Sequence, residues 1–210
     1  MCGITTKWKQ VFYDEVEPIK LKDPLAVFLG AIDEHEEFIF TYEDAVKLAG
    51  HSCPAVSGAY KVTEKALKAL YGSEIPIRGG INVKVLGNID KGANGPISQV
   101  ISLITGAAPE TGFAGLGNSF VRKNKLIFDE KNEEANAFVF TRDDNGKSVK
   151  VTYHPENVPG DEDMHNLFTK CIVGTASEKQ KEKFKELWQK RVKCVLFEEV
   201  KGLFSVEKLN

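Results

Sequence analysis

Gly50-His51-Ser52-Cys53-Pro54-Ala55-Val56-Ser57-Gly58-Ala59-Tyr60 is the stretch on which the reading of this chain turns. Proline is tolerated in the first turn of a helix. From Pro54 onward Val56, Ala59, Tyr60, Thr63, Ala66, Leu67 and Leu70 recur at spacings of three and four, which predicts an amphipathic helix ending at Gly72. His51 and Cys53 therefore precede a helix N-terminus, where backbone N–H groups and the helix dipole favour a thiolate able to hold a metal or act as a nucleophile. Just upstream, Thr41 with Asp44 marks another helix start, Ala45, Leu48 and Ala49 give it a short apolar face, and Gly50 stops it. The motif thus sits between two helices.

Working outward, Ile81-Asn82-Val83-Lys84-Val85 alternates with period two and predicts a half-buried strand. A glycine-rich stretch, 87–95, leads to a helix opened by Pro96 and running through Val100 and Leu103 to Thr105. Residues 106–118 are rich in Gly, Ala and Pro, which suits a tight loop approaching a ligand or another backbone, or a plain connection. Three strands follow as an antiparallel run over 120–128, 136–142 and 147–154, the last two joined by the hairpin signal Asn145-Gly146. Glu156, Asp161, Glu162 and Asp163 lie in an exposed loop without the ligand spacing or central glycine of a calcium site. A short helix around 164–172 precedes a long one capped by Ser177-x-x-Gln180, with Phe184, Leu187, Trp188, Arg191, Val192 and Val195 as its inner stripe. The chain divides into an extension over 1–40 laid on the core, a core over 41–155, and an acidic loop with C-terminal helices over 156–210. The class is α+β, a mixed sheet with helices on one face.

With 210 residues, 42% of them hydrophobic, and a formal charge of −2, the chain suits one core and speaks against both disorder and a nucleic-acid-binding surface. No window approaches the roughly 18 apolar residues of a membrane span, and the first ten residues lack the apolar run of a signal peptide, so a cytoplasmic protein is expected. Cys2, Cys53, Cys171 and Cys194 are too scattered for a disulfide framework or a zinc ribbon.

Gly50-His51-Ser52-Cys53-Pro54, Gly58 in the helix that follows, Gln99 in a helix leading to Thr105-Gly106, and Gly117-Asn118 before Leu126-Ile127-Phe128 form an ordered series. From about Tyr42 to about Tyr153 this series resembles the FmdE family, named for formylmethanofuran dehydrogenase, of which the chain would be a divergent member. The resemblance implies an α-β-α-β-β-β core with a mixed four-stranded sheet, pairing into homodimers and metal binding, but not the dehydrogenase's pterin chemistry. His51 and Cys53 match the family's ligand positions. Ala49 stands where the family usually has a second histidine, and Ala93, Pro96 and Ala107-Ala108 stand where it tends to have cysteine or aspartate. The resemblance also places residues 106–118 against the pocket of His51 and Cys53, shaping it through backbone and Phe113.

Imidazole and thiolate suit zinc or a similar late transition metal, which needs further ligands and can keep a position open for a small molecule. His35, His154, His165, Cys171 or a neighbouring copy of the chain are the candidates for those ligands. Arg78 and Arg122 would pair with a bound carboxylate, and are otherwise surface residues. Haem held by His51 or Cys53, a redox or nucleophilic Cys53 thiol, an N-terminal Cys2 nucleophile suggested by Met1-Cys2-Gly3-Ile4, and a non-catalytic dimeric scaffold are the alternatives.

Overall fold

The computed structural model describes residues 5–209. In chain order its elements are β1 (Ile19–Leu21), α1 (Pro24–Phe28), β2 (Phe38–Phe40), α2 (Tyr42–Ala49), α3 (Pro54–Tyr71), β3 (Ile81–Val85), α4 (Asn94–Thr105), β4 (Leu126–Phe128), β5 (Ala137–Arg142), β6 (Ser148–Tyr153), α5 (Met164–Ile172), α6 (Glu178–Leu196) and β7 (Phe204–Lys208). The expected core order is present as α3-β3-α4-β4-β5-β6, and the class is α+β.

The two helices around the motif begin and end where their local chemistry dictates. The Asp44 carboxylate accepts from the Thr41 backbone N–H at 2.9 Å and from its hydroxyl at 3.0 Å, fixing the start of α2. Gly50 ends that helix in the left-handed region at φ 72°, its N–H donating to the Val46 carbonyl. Pro54 opens α3 and Gly72 closes it. Residues 56–60 of α3 are all buried, so this helix is enclosed rather than laid on a surface. It packs on β5, β6 and β7 on one side and meets α2, α4 and α6 on others.

The sheet has five strands in the order β4-β3-β5-β6-β7. One strand more than expected comes from β7, which pairs antiparallel with β6 (Val151 opposite Val206) in a region read as helical. Only Phe204 of β7 is even half-buried, so no alternation marks the strand in the sequence. A second correction concerns β4. The strand expected over 120–128 is confined to Leu126–Phe128, because Phe120 and Asn124 both adopt φ of 60°, incompatible with a pleated strand. It runs parallel to β3 (Val83 opposite Leu126), not antiparallel to β5, because α4 serves as a crossover that brings the chain back in the same direction. The β5–β6 hairpin is as expected, with Phe138 opposite Val151. Helix α4 starts two residues before Pro96, at Asn94.

The N-terminal segment enters the core. Phe12, Tyr13, Val16, Ile19 and Leu21 are buried in one cluster with Tyr42 and Tyr60. The Tyr60 hydroxyl points at the carbonyls of Phe40 and Glu17, at 2.9 and 3.0 Å, tying α3 to β2 and the segment before β1. Among the described residues no helix is long and apolar enough to cross a membrane.

Candidate functional site

The turn from Gly50 to Pro54 is clamped from three sides. The Ser52 hydroxyl lies 2.8 Å from the Tyr42 hydroxyl, the Trp188 indole N–H donates to the Ser52 carbonyl at 2.9 Å, and the Tyr153 hydroxyl donates to the Pro54 carbonyl at 3.1 Å. The Cys53 carbonyl accepts from both the N–H and the hydroxyl of Ser57, at 3.0 and 3.1 Å. Elements α2, β6 and α6 thus converge on Ser52 and Pro54. Gly58 allows this: a Cβ there would fall 2.4 Å from the Tyr153 ring, so the absence of a side chain lets the ring come close to α3 and reach the turn. Burial pushes the Tyr42 and Tyr153 hydroxyls well above the usual phenol range, so both remain proton donors.

Within this frame the two sequence-predicted ligands differ sharply. His51 is exposed, and its Nδ1 lies 2.9 Å from the Ala49 carbonyl. A carbonyl can only accept, so Nδ1 carries the proton and the neutral ring keeps its lone pair on Nε2. His51 borders a cavity of about 360 Å³ walled by Trp8, Tyr13, Lys47, Ser52 and Gln189 among others. Cys53 is 9% exposed, belongs to the hydrophobic core, and is not part of that wall. It occupies the N-cap of α3 with extended backbone (φ −149°, ψ 167°).

No third candidate ligand joins His51 and Cys53 among the described residues. Among the described residues no three His, Cys, Asp or Glu side chains are grouped so as to hold a metal ion. His35 and His165 are exposed, Cys171 is half-buried on α5, and His154 is engaged elsewhere, with Nδ1 3.0 Å from Glu156 and Nε2 3.3 Å from the Ser205 hydroxyl. Cys2 lies outside the described residues.

The loop over 106–118 does not wall the His51 cavity; the segment around Trp8–Tyr13 and helix α6 occupy that side. Its small residues serve self-closure instead. The Phe113 carbonyl accepts from the N–H groups of Arg122 and Lys123, Gly112 lies against Ala108 and Lys123, and a Cβ on Gly115 would meet the Ser119 carbonyl at 2.6 Å. Through Pro109 and Thr111 the loop walls a different cavity, which Arg78 and Gln99 also border.

The expectation that Arg122 is a surface residue is overturned, and Arg78 is half-buried. Arg122 is 6% exposed, and both arginines converge on Asp23, itself 3% exposed: Arg78 Nη1 donates to Oδ2 at 3.0 Å and Arg122 Nη2 to Oδ1 at 2.7 Å. A buried carboxylate holds guanidinium groups from two distant segments, a pairing invisible to local patterns. The only sequence hint was Asp23-Pro24, a capping pair: Asp23 Oδ1 accepts from the N–H groups of Leu25 and Ala26.

No curated protein sequence matches this chain. The family described as "FmdE, Molybdenum formylmethanofuran dehydrogenase operon" matches residues 48–205, most of the chain, from the clamped turn through β6 and into the start of β7. The chain belongs to the FmdE family.

Proposed function

We propose that the chain is a transition-metal-binding protein, taking zinc or a similar late metal through His51 Nε2 and the Cys53 thiolate. The observation that carries this reading is the hydrogen bond from His51 Nδ1 to the Ala49 carbonyl. Metal-ligating histidines characteristically donate their other ring N–H to a carbonyl or carboxylate, which fixes the tautomer and aims the free lone pair. The helix N-terminus at Cys53 favours the thiolate that such a site needs.

The donor set fits half of a four-coordinate shell. Since the described residues of one chain supply no third ligand, the remaining positions fall to a second copy of the chain in a homodimer or to a small bound molecule. When bound, such a metal supplies Lewis acidity at an open position. The chain's own contribution is to hold the histidine tautomer and, through Tyr153, Trp188 and Tyr42, to keep the turn in place. A cytoplasmic setting suits this chemistry, because reducing conditions keep the thiol available.

Metal analysis of the purified chain, equilibrated with zinc and freed of excess, tests the reading. Stoichiometric zinc in the wild type and its loss in a His51→Ala, Cys53→Ala double variant are expected, with a dimer mass by light scattering. Equal metal content in both proteins overturns it. The burial of Cys53 in the core favours one competing reading, a scaffold in which the thiol only packs. That reading predicts no zinc in either protein.

A further inference from the structure

Asp23, Arg78 and Arg122 leave a surplus positive charge inside the protein. One carboxylate faces two guanidinium groups, and the side chains of Asp23 and Arg122 are 3% and 7% exposed. Arg122 Nη1 is enclosed and has no hydrogen-bond partner among the described residues. Backbone at Gly79 and Gly106, with φ of 84° and 74°, closes directly on this guanidinium. A Cβ at Gly106 would come within 2.1 Å of Nη1, so the group is held where it is. Arg78 gives its Nε–H to the Ile104 carbonyl and one Nη2–H to the Leu103 carbonyl, at 3.2 and 2.9 Å, near the negative end of α4. With one Nη1–H on Asp23, three of its five N–H groups are used and two are left.

Arg78 is the member of the cluster that reaches a cavity, one of about 530 Å³. Its side chain is 22% exposed. Ser102, Gln99 and Thr111 add polar groups to the wall, and Leu126 and Phe128 add apolar surface. Neither the half-buried Ser102 hydroxyl nor the exposed Gln99 amide has a side-chain hydrogen bond among the described residues. A predominantly apolar cleft with one cation and a few uncommitted polar groups is the usual form of a small-molecule site.

We propose that this cavity binds a small organic carboxylate, its carboxyl on the two remaining N–H groups of Arg78, its hydrogen bonds completed by Ser102 and Gln99, and its apolar body on Leu126 and Phe128. The planar fork of a guanidinium matches a carboxylate, and a single surplus charge matches a monoanion better than a phosphate dianion. Asp23 and Arg122 act as positioning residues that fix the fork. The cavity is walled by residues different from those around His51, so its ligand is independent of the metal.

The probe is 4-fluorobenzoate, followed by ¹⁹F line broadening with the full chain, beside 4-fluorobenzamide and with inorganic phosphate added as a competitor. Broadening by benzoate alone is expected, with binding weakened about tenfold or more in Arg78→Gln, the scale of a lost charge-assisted hydrogen bond. Should Arg78→Gln fail to fold, Gln99→Leu, which leaves the salt bridges intact, should still weaken binding. The His51→Ala, Cys53→Ala double variant should bind as the wild type does. Absence of benzoate binding, equal broadening by the amide, preferential binding of phosphate, unchanged binding in Gln99→Leu, or loss of binding in the double variant would each overturn the proposal.

Discussion

The turn at His51 and Cys53 and the cluster at Asp23 are both polar features at the margins of one core, yet they are built in opposite ways. The turn is contiguous in sequence and held by hydrogen bonds to its backbone, and among the described residues no third His, Cys, Asp or Glu side chain groups with His51 and Cys53. The cluster joins residues 55 and 99 positions apart through side-chain ion pairs. A local motif can thus be conspicuous in sequence, whereas a buried ionic cluster leaves little trace there while fixing how several segments meet.

The largest break in this contrast should come from Asp23→Asn. Removing the one carboxylate leaves the buried Arg122 guanidinium and the half-buried Arg78 guanidinium without their anion, and loss of one partner from a buried ion pair costs about 3–5 kcal/mol. Denaturant unfolding measures it; a loss under about 1 kcal/mol, the range of a surface pair, would mean the cluster is solvated. The same group predicts a pH dependence. Burial pushes the Asp23 carboxyl up, but the hydrogen bond from Arg78 and the charge of Arg122 outweigh it and leave it below its ordinary value of 3.8. The folded carboxyl therefore binds its proton less tightly than the unfolded one. Its contribution is present above the ordinary value and is lost as pH falls below 3.8 toward the lowered folded value. The wild type should lose more stability across that acid range than Asp23→Asn does, and parallel profiles would contradict the assignment.

Next in size is Gly58→Ala. Its methyl group would overlap the Tyr153 ring, and overpacking of this kind costs about 1–3 kcal/mol. The displaced ring should also release the Pro54 carbonyl and reduce zinc retention, although neither proposed ligand is touched. Normal stability in this variant would mean that the ring shifts freely and does not clamp the turn. The smallest effect should be that of Trp188→Phe, which keeps an aromatic ring and removes the N–H to the Ser52 carbonyl. About 1 kcal/mol is expected from one neutral hydrogen bond, read from the unfolding midpoint.

How much could be read in advance follows the same division. Helices α2 and α3 were legible to within a residue because Thr41, Asp44, Gly50, Pro54 and Gly72 act locally on backbone geometry. The β5–β6 hairpin was legible for the same reason, through Asn145-Gly146. Strand β7 was not, because its burial is too slight to impose alternation, and β4 was overextended because left-handed Phe120 and Asn124 carry no glycine to announce them. At the site, the sequence identified His51 and Cys53 as candidates but could not show that one is exposed and the other buried. The burial of Arg122 and the pairing of Arg78 depend on Asp23 arriving from the N-terminal segment, a non-local contact that no local pattern encodes.

Ligation by His51 and Cys53 is tested most directly by X-ray absorption at the zinc edge of the zinc-loaded protein, wild type beside Cys53→Ser. The prediction is a sulfur scatterer at about 2.3 Å with nitrogen at about 2.0–2.1 Å in the wild type, and loss of that sulfur in the variant. A wild-type shell of oxygen and nitrogen alone, unchanged by Cys53→Ser, would contradict it.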